Sequence, residues 1–104
     1  MKKIFLTIGF LLFPLLAQAE GDYCEFLEEF AEVIMRSRQN GEPASKLIKS
    51  SERLIENDEW RTLSINMIKT AFREPRYSTK EARQLAIDEF ASMTYLVCYK
   101  ASNP

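Results

Sequence analysis

The chain of 104 residues contains no histidine. That absence removes imidazole-activated serine and cysteine nucleophiles, helical Glu-x-x-His metal sites and Cys/His zinc spacings together. Glycine is nearly as scarce: beyond the opening segment only Gly21 and Gly41 occur, so no glycine-rich loop that cradles phosphate can be built. No serine is followed three residues later by lysine, the spacing of a Ser-Lys pair. No Cys-x-x-Cys and no Asn-x-Ser/Thr sequon occurs either. On these grounds the sequence predicts a protein that is not an enzyme and carries no cofactor.

Long apolar runs are also missing, with one exception at the start. Lys2 and Lys3 precede an apolar stretch over 4–16, and Ala17-Gln18-Ala19 offers the small-x-small pattern of signal peptidase, placing cleavage between Ala19 and Glu20. The stretch is interrupted by Pro14 and falls short of the roughly 20 residues of a spanning helix. A lipoprotein signal would need cysteine directly after the cleavage site, whereas Cys24 stands behind Gly21, Asp22 and Tyr23. The expected organisation is a signal peptide over 1–19 and a single helical domain over 20–104, with no stable membrane insertion after cleavage. The short basic start and terse apolar core have a bacterial look, which makes the periplasm the first expected address and secretion the second.

Loss of Lys2 and Lys3 takes the 14 basic residues to 12 against 15 acidic ones, a charge of about −3. Attraction to nucleic acid or anionic lipid is therefore not expected. A domain of about 85 residues is only modestly supported by its own core. Cys24 and Cys98 are the only cysteines, and in an oxidising compartment they can pair in one way. Such a bond would close most of the domain into a loop and contribute roughly 4 kcal/mol.

Apolar residues recur with helical period nearly throughout. The first helix is predicted over 22–39, with Tyr23, Phe26, Leu27, Phe30, Ala31 and Ile34 on one stripe and Asn40-Gly41 as the stop. A second, over 42–57, opens at Pro43 and carries Leu47, Ile48, Leu54 and Ile55. A third begins at Asp58 as its cap, carries Trp60, Leu63, Met67, Ile68, Ala71 and Phe72, and ends before Pro75; a kinked join to the second is the alternative. The fourth opens on Ser78-Thr79-Lys80-Glu81, read as a capping box between Ser78 and Glu81, and runs through Ala82, Leu85, Ala86, Phe90, Met93 and Val97 to about Lys100.

Short connections between four helices predict an all-α, antiparallel, up-down-up-down four-helix bundle. Its topology brings the start of the first helix and the end of the fourth to one end, where a Cys24–Cys98 bond joins them. It also gathers acids at that end and Arg36, Arg38, Arg73, Arg76, Lys80 and Arg83 at the other. Most of this sorting suits helix dipoles, but Lys80 and Arg83 stand in the first turns of the last helix, where the dipole disfavours them. That exception makes Arg73, Arg76, Tyr77 and Lys80 the candidate partner surface, since Arg and Tyr are common interface anchors and Pro75 stiffens the turn. The simpler reading staples Tyr77 into the core and leaves the bases in solvent.

Glu25 over Glu29 and Glu28 over Glu32 form carboxylate pairs on the first helix, which reads as a solvated acidic face rather than a cation or acid–base site. Phe26, Phe30, Trp60, Phe72 and Phe90 read as core rather than cofactor pocket.

The export signal, the first cysteine opening a helix, Arg-Gln-Asn-Gly closing it, Pro-Arg-Tyr-Ser-Thr-Lys-Glu before the last helix and Tyr-Leu-Val-Cys-Tyr-Lys within it resemble small exported helical proteins of Gram-negative bacteria and their prophages. The resemblance implies an address and a fold, and transfers no catalytic residue. Size, helicity, a single disulfide and an early Cys-Glu pair are also similar to acid-activated periplasmic chaperones, although the second cysteine here lies late in the chain rather than in its middle. The expected function is protein–protein interaction without catalysis, with an unidentified protein partner contacted through the turn between the last two helices or an exposed helix face. The alternatives are an acid or envelope-stress chaperone and an inhibitor of a cell-wall lytic enzyme.

Overall fold

The computed structural model describes residues 22–103. The expected signal peptide and its Ala19/Glu20 cleavage site lie outside the described residues. Four helices account for most of the rest: α1 over 22–39, α2 over Ala44–Leu54, α3 over Asp58–Ala71 and α4 over Lys80–Ser102, with no strand among the described residues.

The α1 helix buries Leu27, Ala31, Ile34 and Met35 at helical spacing. It ends because Gly41 takes a φ of 88°, which lets the Glu42 N–H reach Ser37 O at 3.0 Å and the Gly41 N–H reach Arg38 O at 3.1 Å. That paired closure is what a left-handed glycine provides to the last carbonyls of a helix. The stop read at Asn40-Gly41 is therefore where the structure places it.

The second and third helices are separate, and their boundaries shift from the expected ones. α2 ends at Leu54, and the backbone is extended at Ile55. The cap of α3 is Asn57, whose Oδ1 accepts the Trp60 N–H at 2.9 Å, rather than Asp58. Asp58 instead pairs with Arg61 one turn on. Arg61 also donates through Nη1 to Ile55 O at 3.1 Å and Glu56 O at 3.3 Å, so one guanidinium satisfies carbonyls that the end of α2 leaves open.

At α4 the cap moves by one residue. Thr79 Oγ1 accepts the Ala82 N–H at 3.1 Å, displacing the expected Ser78–Glu81 box. The displacement has a tertiary cause: residues 75–77 are held in place by α1, as described below, so the helix cannot start earlier.

The chain runs up, down, up, down, as an antiparallel four-helix bundle. Cys24 and Cys98 are disulfide-bonded with Cα atoms 5.6 Å apart, tying the start of α1 to the end of α4. Tyr23 and Phe26 meet Trp60 edge-on at 5.3 and 5.5 Å, so the starts of α1 and α3 share that same end. α2 lies against α3, and the seam carries a buried hydrogen bond between Ser51 Oγ and Ser64 Oγ at 2.7 Å. The pair satisfies two hydroxyls that would otherwise be stranded in the core.

The core draws on all four helices, with α1 contributing more buried side chains than any other and α2 only partly buried hydrophobics. Phe30, Trp60, Phe72 and Phe90 pack against it while remaining half-buried, but Phe26, expected in the core, is exposed beyond the Trp60 edge. The expected α4 stripe also divides. Of its residues Ala86 is buried and Ala82 and Phe90 are half-buried, whereas Leu85, Met93 and Val97 are 57, 62 and 62% exposed; Ile87, Ala91 and Cys98, outside that stripe, take the buried positions instead.

Candidate functional site

The segment between α3 and α4 is held by the end of α1. Gln39 lies one helical step beyond Met35 on the core stripe and is only 1% exposed. Its Nε2 donates to Pro75 O at 3.0 Å, and its Oε1 accepts the Tyr77 N–H at 2.9 Å. Its backbone carbonyl accepts from Arg76 Nε at 2.9 Å. Beside it, Arg38 Nε donates to Glu74 O at 3.1 Å while its guanidinium lies 4.9 Å over the Phe72 ring. From the other side, Arg83 Nε donates to Tyr77 O at 2.7 Å. Arg83 thus gains a partner that explains why a base occupies the first turns of α4.

This network sorts the four residues of the expected partner surface. Arg76 and Tyr77 are engaged within the molecule, Tyr77 also through its hydroxyl, which donates to Glu74 Oε2 at 3.2 Å. Partial burial and then the Glu74 contact hold the Tyr77 phenol above its ordinary pKa. Arg73 and Lys80 are exposed at either end of the turn. The Arg76 guanidinium also lies over Gly41, where an added Cβ would come within 2.9 Å of its Cζ. Gly41 is therefore fixed twice, by its backbone conformation and by its neighbour.

The disulfide ties α4 to α1 at one end, and at the other the Gln39 clamp holds the 75–77 segment that leads into α4, to which Arg83 of α4 bonds through Tyr77 O; between these ends α4 stands apart from α3. The space left is an open apolar groove of about 480 Å³, lined by Leu63 and Met67 of α3, Phe90, Met93 and Val97 of α4, and Leu27 of α1 at its floor. A second hollow of about 360 Å³ continues it along α4 past Phe90 and Met93 to Leu85, with Glu74 and Glu89 in its wall. A third, at the Leu63 and Asn66 end, has Asp58 and Glu59 in its wall.

Sequence reasoning missed both Gln39 and the groove. The first had a signal, since Gln39 extends the series Leu27, Ala31, Met35 by one more step and must therefore face inward. The second had a fainter one: α4 carries apolar residues around most of its circumference from Phe90 to Tyr99, more than one neighbouring helix can cover.

The acidic ladder of α1 shows Glu25 and Glu29 exposed and Glu28 and Glu32 half-buried. Among the described residues no group of three or more His, Cys, Asp or Glu side chains is placed to hold a metal ion. None of the described helices is long and apolar enough to cross a membrane. No protein-family model matches the chain, and no curated protein or solved structure matches it at a significant level.

Proposed function

We propose that this chain is a non-catalytic binding protein of the cell envelope, exported after removal of residues 1–19, which docks a partner protein in the groove between α3 and α4. The observation that carries the reading is the exposure of Met93 and Val97, both 62%, within a continuous apolar channel. Apolar surface gathered in one concave place marks a contact site more clearly than the same residues scattered. The inward-facing bonds of Arg76 and Tyr77 favour the groove over the turn as the main contact, with Arg73 and Lys80 at the rim of the turn as secondary contacts.

Two measurements test the proposal. Mass analysis of the protein recovered from a Gram-negative host should give a chain beginning at Glu20 in the periplasmic fraction; an intact chain retained in the cytoplasm would remove the export half. A photo-crosslinking residue at position 93 should capture a discrete partner in the envelope, while one at the exposed Arg53 should not. Equal capture from both positions would remove the groove half.

A further inference from the structure

We infer that the α3–α4 groove receives a cationic amphipathic helix of a partner protein, an inference that rests on the groove reading above. Shape indicates a helix. The α4 side of the groove, from Leu85 to Ala101, is about 24 Å long at 1.5 Å per residue, some four turns. Its two walls are neighbouring helices, between which a third helix seats its apolar ridge by the packing that the rest of the bundle already uses. The missing wall of the bundle is thus supplied from outside.

Charge selects which helix. The central hollow has no charged residue in its lining, and the two that flank it contribute Glu74 and Glu89 on one side and Asp58 and Glu59 on the other; Asp58 is paired with Arg61 and Glu74 accepts from the Tyr77 hydroxyl, so Glu89 and Glu59 carry the attraction. No lysine or arginine lines any of the three. A ligand resting on apolar anchors therefore meets carboxylates at both ends, and lysines or arginines beside its apolar stripe would be attracted there. The same carboxylates repel a fatty-acid head group or an anionic lipid, and a second copy of this chain would bring its own acids against them.

The test uses the full disulfide-bonded protein with Met methyl groups labelled for NMR, and synthetic helical peptides of about 18 residues, some 27 Å long. Each peptide carries leucines at i, i+3, i+4 and i+7 spacing, flanked in one by lysines and in another by glutamates. The lysine peptide is expected to shift the Met67 and Met93 resonances, leave Met35 unmoved, and bind at least tenfold more tightly than the glutamate peptide, with the preference shrinking as salt is raised. Met93→Lys, at an exposed position, should weaken the lysine peptide at least tenfold while the circular dichroism spectrum is retained. Glu59→Lys with Glu89→Lys should reverse the preference. Equal binding of both peptides at Met93 would overturn the cationic partner and leave the groove reading standing. Failure of both peptides to move Met93 would overturn the two together. Self-association that buries Met93 and is abolished by Met93→Lys would assign the groove to a second copy and overturn the inference.

Discussion

Gln39→Ala would strip the 75–77 segment of both its carboxamide contacts, stranding the Tyr77 N–H and the Pro75 carbonyl against a small cavity. Two partly buried backbone groups left without partners predict a loss of about 2–3 kcal/mol in urea or guanidinium unfolding. Arg73→Ala, at an exposed site beside the same turn, should change stability by about 0.5 kcal/mol or less. Two titrating groups near this region act at opposite ends of the pH scale. The Ser37 hydroxyl, followed by Lys46, holds the Glu42 carboxyl below its ordinary value of 4.5. The folded form binds that proton less readily than the unfolded form, so Glu42 contributes stability above 4.5 and loses it as pH falls through the folded value. Tyr77, held above 10.0, contributes below that pH and loses its contribution as pH rises through the folded value. Unfolding curves across pH should therefore show Glu42→Gln converging with the wild type only on the acid side, and Tyr77→Phe only on the alkaline side.

At the level of helices, the capping assignments give the sharpest comparison. Asn57→Ala and Thr79→Ala each remove a side-chain acceptor from a first-turn N–H and should destabilise by about 1 kcal/mol, whereas Ser78→Ala should be close to neutral. Thermal or chemical unfolding of the three single variants decides the order. The sequence predicts Asp58 and Ser78 at these positions, one residue away in each case. Local preference cannot separate adjacent Asn-Asp or Ser-Thr pairs; the choice is made by tertiary anchors, Arg61 on the Ile55 and Glu56 carbonyls and Gln39 on Tyr77. What was legible was whatever repeats or stands alone: the 3.6-residue stripe of α1, the glycine stop at Gly41 and the sole pair of cysteines. The groove was not, because Leu85, Met93 and Val97 fit a core stripe as well as Ala86 and Ala91 do. Only the distance between α3 and α4 distinguishes them.

For the molecule as a whole, the bond between Cys24 and Cys98 spans 74 residues and encloses nearly every contact described. Replacing both cysteines with alanine should lower stability by up to about 4 kcal/mol, read as a drop in the denaturant midpoint with a steeper slope, because the unfolded chain is no longer held compact by the 74-residue loop. The Gln39 clamp then becomes the remaining polar tie from α1 to the segment entering α4 at the far end, so Gln39→Ala in the cysteine-free background should lose more than the sum of the two changes. The same closed loop has a consequence for degradation. Arg53, exposed at the end of α2, and Glu56 and Asn57, exposed in the connection that follows, are open to a protease and lie inside the covalent ring. A single cut there separates no fragment: the nicked protein should run as one band without reductant and as two with it, its halves held together as one particle. Only a second cut, or reduction, lets any of the ring escape.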